Sequence, residues 1–203
     1  MGKNAVFPGR TPHSSQSVAF KGEPVAYLET SELAALFAVI TSKRDKAIFR
    51  LTYGRGLRAH EVGLLQISDF RDRDGVLFVH RGKGSISREH SLTDEELRSL
   101  RAWLKVRGTL PGPIFLSRNR RAISRDRLDE LMKQYCALAG IPAAKAHMHI
   151  LKHSCGTMLA DHDASPMEIQ DWLGHRSSSS TDVYLHFTER RRAALVEKFK
   201  HWK

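Results

Sequence analysis

Between Gly75 and Leu92 the chain leaves the helical period once, and this interruption constrains the fold more than any other feature. GVLFVH (75–80) and SISREHSL (85–92) read as two short strands joined at RGKG, a hairpin. A lone hairpin is marginal in water and needs other elements to cover it. Those elements are helices. In ETSELAALFAVI, Thr30 is expected to cap a helix with Leu33, Leu36, Phe37 and Ile40 on one face. SKRDKAIFRLTYG is a second helix, stopping near Gly54 and Gly56, and LRAHEVGLLQI is a third. After the hairpin, Thr93 and Glu96 form a capping box before Leu97, Leu100, Trp103 and Leu104. PIFLS is a short extended piece. Ser124 precedes the helix of RLDELMKQYCALAG, closed by Gly140 and Pro142. HILKHSCGTMLADH is helical, and Ser165, Pro166 and Glu168 open a further helix ended by Gly174. TERRRAALVEKFKHW is a terminal amphipathic, basic helix. The expected fold class is mainly α with a small antiparallel β hairpin. One domain is expected over residues 27–203, after a flexible polar arm at 1–26.

The 203 residues carry 33 Lys and Arg against 22 Asp and Glu, a formal charge of +11. Such a balance points to a polyanionic partner, nucleic acid first and an acidic membrane surface second. Cys136 and Cys155 are too few for a disulfide framework, which fits a reducing cytoplasm. No apolar run approaches the ~18 residues of a membrane span, and the N-terminus lacks the apolar core of a signal peptide.

Several chemistries compete for the polar residues. Ser154 or Cys155 beside His153 allows a nucleophilic hydrolase, but no G-x-S-x-G elbow or papain-type context surrounds them. His147, His149 and His153 allow a metal site, with His149 and His153 one helical turn apart; hydrogen-bonding histidines around an anion are the alternative. GRGLR and RGKG do not match a phosphate-binding P-loop. More informative is the order of cations ending in a phenol: Arg58 after a glycine turn, Lys83 at the hairpin tip, His149 and Lys152 on one turn, His175 after Gly174, and Tyr184 nine residues later. A phosphodiester gains negative charge as it becomes pentacoordinate, and fixed cations and imidazoles stabilise that charge. A phenol, with a reference pKa of about 10, needs a base or nearby cations to attack it.

YGRGLRAHEVGLLQISDF, HMHILKHSCGTMLAD and IQDWLGHRSSSSTDVYLH resemble the three signature stretches of the tyrosine recombinases, or phage integrases. The family pattern is Y-x-x-G-L-R-x-x-E, then H-x-L-R-H-[ST], then L-G-H with a tyrosine nine residues on. The resemblance implies the recombinase catalytic fold and breakage and rejoining of double-stranded DNA, with no cofactor and no metal. It implies that Arg58 holds a non-bridging phosphate oxygen and that Lys83 protonates the leaving 5′-oxygen. His149 is then a base or phosphate ligand, His175 another phosphate contact, and Tyr184 the nucleophile that forms a 3′-phosphotyrosine. Glu61 orients Arg58, and His153 is supporting. It further implies a homo-oligomer on DNA, a tetramer, linked through the C-terminal helix with its Ala193, Leu195, Val196 and Phe199 stripe.

Two departures from the family stand out. Lys152 occupies the place of an arginine and lacks its two-pronged grip on phosphate. It suffices at some cost in rate, or another cation substitutes, or the protein binds DNA and cuts poorly. On this reading Lys152 is a catalytic cation, and Lys152→Arg should raise cleavage. Only ~30 residues precede the first helix, whereas larger members carry an N-terminal clamp of ~100 residues. The chain is therefore similar to the short, catalytic-domain-only members that invert fimbrial promoter segments in bacteria. DNA affinity would come from phosphate contacts, with Arg118, Arg120, Arg121, Arg125 and Arg127 available for backbone contact or sequence readout. Ser177 to Ser180 form a low-bulk tether that lets Tyr184 swing, or else an ordinary polar loop. A DNA-binding regulator with weak catalysis and a DNA-relaxing enzyme of the same chemistry are the rival functions.

Overall fold

Helix α2 (Lys43–Arg55) is buried along most of its circumference. Ala47, Ile48, Phe49, Leu51 and Thr52 are all inaccessible to solvent, because α4 (Asp94–Arg107) packs on one flank and α6 (His149–Asp161) on another. The structure is a computed structural model and describes residues 26–82, 85–177, 180, 181, 184, 196, 197, 199 and 200. Around α2 lie α1 (Thr30–Val39), α3 (Ala59–Leu64), α5 (Arg125–Leu138) and α7 (Pro166–Leu173). Leu36, Ile40, Leu57, Leu100, Phe115, Met132, Ile150 and Leu151 join α2 in the main core. A smaller cluster of Cys155, Ala160, Ile169, Leu173 and Tyr184 fills the space between α6 and α7.

The helix boundaries follow local chemistry. Ser42 Oγ accepts the Asp45 N–H at 3.3 Å, and Gly56 closes α2 at φ 56°, in the left-handed region where a side chain is strained. Thr93 and Glu96 form the expected reciprocal box. Ser124 caps α5. Ser165 and Glu168 open α7 around Pro166, and Gly174 ends it at φ 66°. Two expectations need correction. Thr30 is the first residue inside α1 and not its cap; Glu29 holds that place, its N–H donating to Glu32 Oε2 at 2.8 Å. The third helix ends at Leu64 and not near Ile67, because the backbone at Leu65 turns extended and its carbonyl accepts the Ile114 N–H at 2.8 Å.

The hairpin strands are β2 (Val76–Val79) and β3 (Arg88–Ser91), antiparallel with Leu77 opposite His90. A third strand, β1 (Phe70–Arg71), pairs with β2 through Phe70 and Leu77 and was not expected. At two residues it is too short to show an alternation, and Arg71 is fixed to Glu89 by paired hydrogen bonds across the sheet. Leu77 and Val79 point into the main core, so the sheet is covered by helices on that face. The expected arm lies almost wholly outside the described residues. So does most of the expected terminal helix, including Ala193 and Leu195; Val196, Glu197, Phe199 and Lys200 are helical.

Candidate active site

Arg58 stands between Leu57, buried at the end of α2, and the first turn of α3. Its backbone N–H donates to Glu61 Oε2 at 2.8 Å, and its Nη1 donates to Glu61 Oε1 at 2.9 Å and to Ser85 Oγ at 2.8 Å. Glu61 is one helical turn on, fully buried, so this carboxylate fixes the arginine by its main chain and its side chain together. The Arg58 side chain stays 30% exposed. It lines a cleft of about 710 Å³ with His60, Arg125, Lys133, His147 and His149, and with Asp129 as the acidic member. A cleft walled by cations and imidazoles suits an anion that approaches from solvent.

Arg81, next to the hairpin turn, is the component that the sequence did not single out. Its Nη1 donates to Glu61 Oε2 at 2.8 Å and to Gly56 O at 3.0 Å, and its Nη2 donates to Arg55 O at 2.8 Å and Trp172 O at 3.1 Å. It thereby joins the hairpin to α2, α3 and α7. Burial by itself works to raise the Glu61 carboxyl, but the Arg81 charge and the Arg58 N–H outweigh it and hold the carboxyl below its usual range. The far side of the hairpin is fastened as well. Ile86 N–H donates to Gly174 O at 3.1 Å, and Ser85 pairs with His175 in an isolated antiparallel bridge. Lys83 is outside the described residues, but its neighbour Gly82 lies against the His60 ring.

Tyr184 is seated in this arrangement and is only 6% exposed. Its hydroxyl is 3.0 Å from His153 Nδ1. Its ring lies nearly parallel to that of His175, with centroids 6.4 Å apart. His153 in turn meets His149 edge to face at 4.4 Å. His175 Nδ1 is 3.1 Å from Thr181 Oγ1, which fixes the ring. The structure thus brings together Arg58, Glu61, His149, His153, His175 and Tyr184. Lys152 is near enough for its charge to act on His149 and His175, but its side chain is 1% exposed and its Nζ donates to Gly56 O and Leu173 O, each at 2.9 Å. Ser154 and Cys155 serve packing. Ser154 Oγ accepts the Leu28 N–H and donates to Ile150 O, while burial pushes the Cys155 thiol up to about 12. Among the described residues no three His, Cys, Asp or Glu side chains converge as metal ligands. Of the arginine cluster, Arg125 lines the cleft, whereas Arg118 and Arg127 line a separate hollow of about 430 Å³ with Arg44.

The environment keeps the imidazoles neutral. Burial, then the charges of Lys152, Arg58 and Arg81, depress His175 to about 4, and burial with His149 depresses His153 to about 4. His149 is lowered by burial and by Lys152 and Arg58. Burial raises the Tyr184 phenol well above its ordinary range. In its seat, therefore, the phenol is protonated and faces neutral rings. These shifts have a consequence for stability. His153 and His175 are each protonated in the unfolded chain below about 6.5 but stay neutral in the fold down to about 4, so stability is full above the first value and falls across this window. We expect the melting temperature of the DNA-free protein to drop steadily from pH 7 to pH 4. A flat profile would show that these rings are solvated.

The seat itself is tight. A Cβ on Gly156 of α6 would lie 2.7 Å from Cε1 and Cζ of Tyr184, closer than such atoms approach. Gly156→Ala is therefore expected to displace the ring and to increase Tyr184 nitration by tetranitromethane about tenfold or more, read by peptide mass mapping. Unchanged nitration would place the ring outside this seat.

The phage integrase family model matches residues 26–191. The Escherichia coli K12 type 1 fimbriae regulatory protein FimB is 31% identical over 166 residues, covering 78% of this chain and 82% of that protein. The tyrosine recombinase XerD of Xanthomonas campestris pv. campestris is 33% identical over 189 residues, 87% of this chain and 57% of XerD. Among solved structures, XerA recombinase aligns with a TM-score of 0.77 at 24% identity, covering 90% of this chain and 68% of that one. The Tn1549 transposon integrase in complex with transposon right end DNA gives 0.72 at 18% identity, covering 88% and 67%. The mainly α architecture with its small antiparallel sheet is that of a tyrosine recombinase catalytic domain, and this chain belongs to the phage integrase family, the tyrosine recombinases.

Proposed function

We propose that this protein is a site-specific recombinase that cuts and rejoins double-stranded DNA through a 3′-phosphotyrosyl bond at Tyr184. The observation that carries this reading is the Tyr184 hydroxyl 3.0 Å from His153 Nδ1, in a seat shared with His175 and next to the Arg58 cleft. In the proposed reaction a DNA strand lies along that cleft and its scissile phosphate takes the exposed side of Arg58 and the imidazoles of His149 and His175. The anion favours a protonated His175 and so reverses the effect of burial there, while His149 and His153 stay neutral and able to take a proton. Tyr184 Oη bonds to phosphorus while the bond to the 5′-oxygen breaks. The phenolic proton passes to His153, the imidazole 3.0 Å from the hydroxyl, or through it to His149, and Lys83 gives a proton to the leaving 5′-oxygen. The phosphotyrosine conserves the bond energy, so a 5′-hydroxyl of the same or another strand reverses the step without ATP, cofactor or metal.

The basic surface supplies non-specific affinity, and binding weakens steeply with salt. Assembly on DNA as a tetramer through the C-terminal helix follows the family pattern. Exposed Val196 and Phe199 offer an apolar face for it, and sedimentation with and without DNA tests it. We place the protein in the bacterial cytoplasm, at the nucleoid; among the described residues no helix is long and apolar enough to cross a membrane. The burial of Tyr184 and the inward direction of Lys152 favour one second reading, a DNA-binding regulator with little catalysis. Incubation with supercoiled plasmid separates the readings. Recombinants with covalent adducts support the first, a gel shift alone supports the second, and relaxation alone indicates a topoisomerase.

A further inference from the structure

Lys152 stands where the family has an arginine, yet its Nζ reaches two main-chain carbonyls, Gly56 O and Leu173 O, each at 2.9 Å. Each carbonyl lies two residues before a candidate site residue: Gly56 before Arg58, Leu173 before His175. Each is also at the C-terminal end of a helix, α2 or α7, where the unpaired carbonyls and the helix dipole favour a cation. We infer that Lys152 is a positioning residue, which ties the turn leading into Arg58 to the turn leading into His175 and does not itself hold the scissile phosphate. This inference rests on the recombinase reading of the site.

Arg81 braces the same two turns from the hairpin side. It reaches Gly56 O at 3.0 Å, Trp172 O at 3.1 Å and the Glu61 carboxylate at 2.8 Å. With one guanidinium already between these helix ends, a second would bring two planar cations together with a single carboxylate to balance them. The compact lysine head needs less room. Burial, with Arg81 and Arg58, lowers the lysine to about 7. An ammonium has three N–H donors and a neutral amine two, so either form satisfies both carbonyls. The brace therefore persists across that titration.

A phosphate ligand and a positioning residue respond differently when the phosphate loses its charge. A methylphosphonate at the scissile position is uncharged, so it relieves the need for a missing cation and does nothing for displaced turns. Covalent adduct formation is measured on nicked DNA with native phosphate and with methylphosphonate, using wild type, Arg58→Ala, Lys152→Met and Lys152→Gln. Arg58→Ala is the control that methylphosphonate rescues. Lys152→Met is expected to slow the adduct about a hundredfold on both substrates, the cost of a misplaced constellation. Lys152→Gln keeps a neutral two-donor head and is expected to stay within about tenfold of wild type. It also decides the matter should the Met variant fail to fold. Restoration of Lys152→Met or Lys152→Gln by methylphosphonate overturns the inference, as does a rate gain from Lys152→Arg on native phosphate. A wild-type protein that forms no adduct on any DNA sinks the recombinase reading, and this role with it.

Discussion

Tyr184→Phe is expected to abolish the covalent protein–DNA adduct and to leave DNA binding intact. The substitution removes one oxygen from a ring that packs with Cys155, Ile169 and Leu173, so the cluster keeps its volume. What disappears is the hydroxyl 3.0 Å from His153 Nδ1. Among the described residues, the two neighbouring nucleophiles of α6 do not replace it. Ser154 is turned to Leu28 and Ile150, and Cys155 is sealed beneath the ring with its thiol held protonated. The expected loss is therefore complete within the range of a denaturing gel, about 10⁴-fold or more. A gel shift under native conditions should be unchanged, because phosphate contacts arise from the cleft cations. Residual adduct in Tyr184→Phe would mean that another residue attacks the DNA.

The second large effect concerns stability. Glu61 is fully buried and accepts from Arg58 N–H, Arg58 Nη1 and Arg81 Nη1. Glu61→Ala leaves the buried Arg81 guanidinium without its counter-charge and frees Arg58 to change rotamer. Removing one partner of a buried pair costs about 3–5 kcal/mol, which for a domain of this size lowers the melting temperature by about 6–20 °C. A Glu61→Ala protein that melts within a degree or two of wild type would show that Arg81 is held by the carbonyls of Arg55, Gly56 and Trp172 alone.

Much of the scaffold was legible because it is written locally. Ser42, Thr93, Ser124 and Ser165 each accept the N–H three residues on, and Gly56 and Gly174 end helices at positive φ. Arg58 and His175 follow helix ends that Gly56 and Gly174 mark, and the motif spacing placed His149 and Tyr184 in the same region. What escaped was non-local. Arg81 lies in the same RGKG turn as Lys83 but contacts residues 20 to 91 positions away, and no sequence period encodes that reach. The direction of Lys152 was hidden for the same reason. Its motif position matched a phosphate ligand, whereas its environment is set by the meeting of α2 with α7. The two residues of β1 show no alternation. The Thr30 assignment failed because Glu32 captures the N–H of Glu29 and starts the helix one residue earlier than the hydroxyl pattern implied.

The claim on which the mechanism depends is that one phenol oxygen attacks one phosphate held by Arg58, His149 and His175. Its most direct measurement is peptide mapping of the adduct trapped on a randomised pool of nicked duplexes. We expect a single modified peptide carrying a nucleotide on Tyr184, lost in Arg58→Ala. Attachment at any other residue, or no attachment in the wild-type protein, would contradict the account.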